Sequence, residues 1–99
     1  MSKIETDDAI VLVLHSPREK FWGVLHEINS SGVFVRGIDL NAFDEFVRST
    51  QNDEGFYGLS SAFFPLWRVE RISKDERSGE IPSMIEQFEH RTGFSIVDF

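Results

Sequence analysis

The amino-acid sequence predicts a mainly β, α+β fold: a small, strongly bent antiparallel sheet or small barrel of about five strands, with a short helix after strand 3 and a C-terminal helix. Short runs of β-branched and aromatic residues alternate with turn residues, as in small β-rich domains. Gly23 and Gly37 interrupt two of these runs, where glycine commonly marks a bend. The apolar residues take a helical spacing in residues 41–50 and 81–92.

Length and composition favour a single domain with its own core. The chain has 99 residues, of which 40% are hydrophobic. A chain of this size buries roughly 65% of its unfolded surface, so one core can hold it. We divide it into a flexible N-terminal tail (1–8), a small β-barrel domain (9–73) with an inserted short helix and loop (41–58), and a C-terminal helix and tail packed on the barrel (81–99).

The net charge and the absence of cysteine limit which classes of function we expect. A net charge of −7 repels phosphates, which disfavours nucleic acid as a partner. No apolar run approaches the ~18 residues of a membrane span, and the N-terminal sequence MSKIETDD lacks the features of a signal peptide. A chain without Cys has no disulfides and no thiol catalysis, and it fits a reducing compartment. We therefore expect a cytoplasmic protein with no membrane segment.

The first three strands come from residues 9–40. Residues 9–15 (AIVLVLH) are almost entirely apolar, so either both faces of this strand are covered or one face meets a partner. Pro17 lies in the turn that follows. Residues 20–40 predict two antiparallel strands joined by a tight turn at residues 29–32 (NSSG).

A short helix and a loop follow the third strand. Residues 41–50 (NAFDEFVRST) predict a helix of about two turns, and Asn41 is the expected cap of its N-terminus. Residues 51–58 (QNDEGFYG) predict a loop that contains two large aromatic residues, Phe56 and Tyr57. These rings either fold back over the core or form a contact loop.

The rest of the chain predicts more strand and a second helix. Pro65 interrupts residues 60–73, so this stretch forms an edge strand, a bulged strand or two short strands. The clearest helix lies in residues 81–92, where Glu86 follows Ser83 at the spacing of a capping box and a glycine ends the pattern. The C-terminal sequence FSIVDF forms a final strand or a docked tail.

Catalytic and metal-binding patterns are weak. The histidines are scattered without the spacing of a metal site, and the serine pairs at residues 30–31 and 60–61 have no adjacent general base. Three carboxylates lie near the end of the third strand: Asp39, Asp44 and Glu45. They could hold a hard cation or act as acid and base, but helix capping and solvation explain them as well. We expect no catalytic residue, no cofactor and no enzyme activity.

Arginine and tryptophan side chains form one basic and aromatic grouping. If Arg36 and either Arg68 or Arg71 shared a face with Trp22 and Trp67, these groups could stack on or pair with a ligand. The alternative is ion pairing with Glu27, Asp39 or Glu70 across the strands. With the two loop aromatics included, the candidate contact residues for a ligand or partner are Trp22, Arg36, Phe56, Tyr57, Trp67 and Arg68.

The stretch from Ile10 to Ile72 resembles the Sm-like small β-barrel family. The resemblance lies in FWGVLHEINSSGVFVRGID as a long bent hairpin and in FFPLWRVERI as the closing strands, which end in a V-x-x-I pattern at Val69 to Ile72. It implies a barrel whose edge strands pair between subunits into rings, and such rings often bind RNA. The resemblance assigns no binding residue in this chain.

Three functions follow from these patterns. The leading hypothesis is a non-catalytic small-barrel module that acts through self-association, as a homo-oligomer, or through a protein partner. The second is an Sm-like RNA-binding ring. The third is a small metal- or ligand-binding domain built on the three clustered carboxylates.

Overall fold

A computed structural model describes residues 3–52 and 58–99. The strands and helices of these residues follow the predicted order. They are β1 (Ala9–Leu14), β2 (Glu19–Ile28), β3 (Gly32–Asp39), α1 (Phe43–Gln51), β4 (Ser60–Pro65), β5 (Val69–Lys74) and α2 (Met84–Thr92). Short 3₁₀ helices precede α1, connect β4 to β5 and end the chain. The predicted α+β fold with five strands and two helices is confirmed.

The five strands form one antiparallel sheet in the order β4-β3-β2-β1-β5. The sheet is bent but not closed, so β4 and β5 are its two edges. Phe64 of β4 and Ile72 of β5 nevertheless pack on the same buried cluster. Phe21 of β2 and Phe64 of β4 also meet edge-on with ring centroids 5.1 Å apart, although their partners in β3, Asp39 and Val33, lie at opposite ends of that strand. Such a contact requires the sheet to curl. The bent open sheet, rather than a closed barrel, is therefore the observed form.

The two glycines expected to bend the sheet lie directly opposite each other in β2 and β3. A Cβ atom on Gly23 would sit 2.6 Å from the Cα of Gly37 and would also meet the carbonyl oxygen of Arg36. The backbones approach too closely here for any side chain. A register shift between Leu25 and Glu27 adds a second irregularity to β2. The two glycines predicted to mark a bend therefore lie where the backbones of β2 and β3 approach closely.

Both faces of the central strands are covered. The inner cluster fills the concave side of the sheet with Ile10, Leu12, Leu25, Val33 and Val35. The outer cluster lies between the convex side and the two helices, and it contains Trp22, Phe43, Phe46, Val47, Leu59, Phe88 and Ile96. Residues of β1 contribute to both sides, because Ile10 and Leu12 face inward while Val11 packs outward. The apolar run in β1 is thus explained within one chain.

The helix ends confirm one predicted cap and correct another. Ser83 and Glu86 form the expected capping box at α2, and Gly93 ends the helix with a φ of 77°. The prediction that Asn41 caps the first helix is wrong. Asp39 instead accepts the backbone N–H of Asn41 at 2.8 Å and begins a 3₁₀ helix. The cap therefore lies two residues earlier than the sequence pattern indicated.

The chain termini pack against the sheet and helices. Asp7 donates its backbone N–H to Leu25, and Leu25 donates to the carbonyl of Asp8, so this part of the predicted tail is hydrogen-bonded to β2. At the other end, Phe99 packs edge-on against Phe46 and Phe88, each with ring centroids 5.5 Å apart. Of the two predicted forms for FSIVDF, the docked tail is the one observed.

Two further expectations concern the loop and the strand around Pro65. Pro65 ends β4, and a 3₁₀ turn leads to β5, so the stretch forms two short strands. The loop aromatics Phe56 and Tyr57 lie outside the described residues. Within the part of the chain that is described, no helix combines the length and the hydropathy that a bilayer crossing needs.

Candidate interaction surface

Trp22 is a core residue. Its side chain is 0% exposed in the outer cluster and meets the ring of Phe43 edge-on, with centroids 5.2 Å apart. The indole N–H donates to Asp75 Oδ2 at 3.1 Å. The same carboxylate accepts the backbone N–H groups of Met84 and Ile85 at 2.8 and 2.9 Å. Trp22 therefore ties the sheet to the start of α2 and has no surface to offer a partner.

Arg36 and Arg68 bind groups of their own chain. Arg36 donates from Nε to the carbonyl oxygen of Phe99 at 2.9 Å and from Nη1 to Ser61 Oγ at 3.4 Å. The first bond holds the C-terminal tail against the outer face of β3, and the second joins Arg36 to β4. Both partners of Arg36 therefore belong to its own chain.

Arg68 clamps the turn between β1 and β2. Its Nε donates to the carbonyl oxygen of His15 at 3.2 Å, and its Nη2 donates to that of Pro17 at 2.7 Å. Nη2 also lies 3.3 Å from Glu19 Oε2. Only 16% of the Arg68 side chain is exposed. Arg68 therefore binds the carbonyl groups of the turn and Glu19, rather than Glu27, Asp39 or Glu70.

Among the candidate aromatic residues that the structure describes, Trp67 has an exposed ring. It lies in the 3₁₀ turn between β4 and β5, is 64% exposed, and meets His15 edge-on with ring centroids 6.4 Å apart. Because Trp22 is buried in the outer cluster, the two tryptophans form no shared surface. The structure does not bring the arginines and the two tryptophans of the predicted grouping together on one face.

The three clustered carboxylates have partners within the chain. Asp39 caps the 3₁₀ helix, Asp44 lies 3.3 Å from Arg91, and Glu45 lies 2.7 Å from Arg48. Over residues 3–52 and 58–99, no group of three or more His, Asp or Glu side chains is arranged to hold a metal ion. Capping and ion pairing account for these residues.

A 440 Å³ groove lies along α2, and Arg77, Glu86 and Arg91 are among the residues that line it. Arg77 contacts Glu86 at 2.9 Å at one end of it, and Arg91 reaches Asp44 at the other. The backbone N–H of Ser83 and the Arg77 guanidinium hold the pKa of Glu86 below its ordinary value of 4.5. Arg77 pairs with Glu86 and Arg91 pairs with Asp44, as is common on a solvent-exposed helix face.

The sequence reasoning missed a surface at the edge strand β4. Phe34 of β3 and Phe63 of β4 are paired across the strands on the outer face, with ring centroids 4.7 Å apart. They are 41% and 42% exposed. We call these two rings, together with the unpaired side of β4, the β4 edge surface. Its signal in the sequence is that residues 55–67 contain no Asp, Glu, Lys or Arg.

The hairpin hydrogen bonds show which backbone groups of β4 are free. Asn29 and Gly32 exchange both backbone hydrogen bonds, so the polar groups of Gly32 point toward β2. Because these groups alternate along a strand, those of the next residue, Val33, point toward β4 and pair with Phe64. It follows that Phe63 directs its N–H and C=O away from β3.

The same alternation applies to the neighbours of Phe63 in β4. Ser61 directs its backbone groups outward, as does Pro65, which has only a carbonyl to offer. A proline whose nitrogen faces the open side is what an edge strand tolerates. Within the described residues β4 pairs with β3 alone, so these groups have no strand partner.

The other edge of the sheet is different in character. Strand β5 (VERISK) carries Glu70, Arg71 and Lys74. Glu70 lies 3.7 Å from Arg18, and Lys74 lies 3.7 Å from Asp8. Charged side chains on an edge strand discourage pairing with another chain. Strand β4 has none of this protection.

Comparison with protein-family models, with curated proteins and with solved structures found no match to this chain. Function is therefore inferred from the geometry of the β4 edge surface.

Proposed function

We propose that this protein is a non-catalytic module, built on a bent open sheet, that binds another polypeptide chain through the β4 edge surface. One observation carries the proposal: an uncharged edge strand presents free backbone groups beside two exposed aromatic rings. An extended segment added to such an edge gains main-chain hydrogen bonds from the strand and side-chain contacts from the rings.

Covering this edge gains several modest favourable contributions to binding. Covering the exposed part of Phe34 and Phe63 contributes on the order of 1 kcal/mol per ring, since full burial of a phenylalanine is worth about 1.5–3 kcal/mol. Each new backbone hydrogen bond adds roughly 0.5–1.5 kcal/mol. No charge on β4 has to be desolvated. The sum is small, which suits a reversible interaction.

The alternative functions have less support. RNA binding needs cationic groups directed at phosphates, whereas Arg36 and Arg68 donate to carbonyl groups of their own chain. The carboxylates of the metal-binding alternative are engaged in caps and ion pairs. The proposal includes a cytoplasmic location, because a chain without Cys needs no oxidising compartment.

Selection of random phage-displayed peptides on the immobilised protein tests this function. We expect extended apolar peptides that bind the wild type and lose at least about tenfold in affinity to the variant Phe63→Lys. Trp67→Lys is the matched control, since it places the same charge on another exposed aromatic position. Circular dichroism checks that both variants fold. Peptides that bind Phe63→Lys as tightly as the wild type would overturn the proposal.

A further inference from the structure

We propose that the partner at the β4 edge surface is a second copy of this chain, which pairs its own β4 antiparallel across a two-fold axis at Phe63. This inference rests on the proposed function and names its partner. It differs from the head-to-tail pairing of opposite sheet edges that the Sm-like resemblance implies. Three properties of β4 support the symmetric arrangement.

The first property is the direction of the free backbone groups. A two-fold axis that continues an antiparallel sheet is perpendicular to it and keeps the two outer faces on one side. Centred on Phe63, it lets the two copies of this residue exchange N–H and C=O hydrogen bonds. The N–H of Ser61 then donates to the carbonyl of Pro65 in the second copy. The missing N–H of Pro65 leaves only one acceptor per copy without a strand donor.

The second property is the placement of the aromatic rings. Phe34 and Phe63 already contact each other on the outer face of one chain. The axis places Phe63 of the second copy directly opposite, where paired Cβ atoms lie about 4.5–5.5 Å apart. The result is a row of four rings, Phe34 and Phe63 from each copy, that continues across the new sheet. Each ring then gains an aromatic neighbour or loses solvent contact.

The third property is charge. Self-pairing of β4 brings no charged side chain opposite another, because residues 55–67 carry none. Pairing with β5 would instead set the Phe63 ring against a strand that carries Glu70, Arg71 and Lys74. The chain as a whole has a net charge of −7, so two copies repel each other at long range. Added salt screens this repulsion and strengthens the dimer.

Sedimentation equilibrium over a concentration series measures the dimer. A single strand pair falls below the ~1,200 Å² of a standard interface, so we expect a weak dimer. Its dissociation constant should fall as NaCl rises from about 0.01 to 0.15 M, where the Debye length shortens from roughly 30 to 8 Å. Phe63→Lys should raise the dissociation constant at least about tenfold, and Trp67→Lys should change it by no more than about twofold.

Single cysteines define the geometry, because the natural chain contains none. Phe63→Cys should form a disulfide-linked dimer under mild oxidation, since paired Cα atoms across the axis lie within the ~7 Å that a disulfide spans. Arg71→Cys, on the exposed face of β5, should not. In a mixture of the two variants, no disulfide should join a Phe63→Cys chain to an Arg71→Cys chain.

The outcomes separate this inference from the proposed function. A protein that stays monomeric at high concentration and high salt, or a disulfide between the Phe63→Cys and Arg71→Cys chains, overturns the symmetric dimer. If Phe63-dependent peptides are still selected in that case, the β4 edge surface binds a different partner and the proposed function stands. If neither dimer nor peptide depends on Phe63, both fail.

Discussion

Replacing Asp75 with alanine should lower the free energy of unfolding by about 3 kcal/mol. Asp75 accepts three hydrogen bonds: from the Trp22 indole and from the backbone N–H groups of Met84 and Ile85 at the start of α2. Loss of a carboxylate that caps a helix costs about 0.5–2 kcal/mol. Leaving the fully buried indole N–H unpaired costs a further ~1–3 kcal/mol.

The size of this effect makes it easy to measure. The total stability of a domain is about 5–15 kcal/mol, so a loss of ~3 kcal/mol is a large fraction of it. In a domain of about 100 residues it corresponds to a fall in Tm of roughly 12–24 °C. Urea unfolding followed by far-ultraviolet circular dichroism gives the free energy directly. Glu76→Ala is the matched control, because it removes an exposed carboxylate next in the chain and should change stability by less than about 0.5 kcal/mol.

A double-mutant cycle with Trp22→Phe isolates the bond between sheet and helix. Because the two side chains share a hydrogen bond, the cost of Asp75→Ala should be smaller in the Trp22→Phe background, by about 0.5–3 kcal/mol. If Asp75→Ala costs less than ~1 kcal/mol, or if the two changes are strictly additive, Asp75 does not join the sheet to α2 in the way argued.

Two further predictions concern the bend in the sheet and the capping box. Gly23→Ala should destabilise the fold by more than about 1 kcal/mol in urea unfolding, because its Cβ would meet backbone atoms of Arg36 and Gly37, whereas the same change at Gly58 meets open space; equal effects would contradict this. The lowered pKa of Glu86 means that its bonds stabilise the fold above pH 4.5 and that this contribution is lost as pH falls through the folded-state pKa. Stability should therefore fall less between pH 7 and pH 3 in Glu86→Gln than in the wild type, and parallel curves would refute the assignment.

Features that depend on neighbouring residues in the chain could be predicted from the sequence. The cap at Ser83 needs only Glu86 three positions later and a glycine after the helix, and the tight turn at residues 29–32 depends on its own four residues. Asn41 shows the limit of such patterns. Asp39, two residues earlier, has the same ability to accept an N–H at a helix start, and the sequence does not decide between them.

Features that depend on contacts between distant residues could not be predicted. Trp22 and Trp67 look alike in the sequence, yet one is fully buried and the other is 64% exposed. Trp22 is buried because α1 and α2, which come later in the chain, cover its side of the sheet. Asp75 lies in what reads as a charged linker, and its role appears only when β5 brings it to the indole of Trp22 and to the start of α2.

The way the core is built determines where this protein can meet another chain. Helices and the C-terminal tail cover much of the convex face of the sheet, and the curl of the sheet encloses its concave face. The interior strands β1, β2 and β3 have strand partners on both sides, so the backbone that remains open lies at β4 and β5. Charged side chains on β5 discourage pairing with another chain, whereas β4 carries no charged side chain and presents the exposed ring of Phe63. An edge strand without charged side chains is open to pairing with another chain, and this is the physical reason for assigning the interaction to β4.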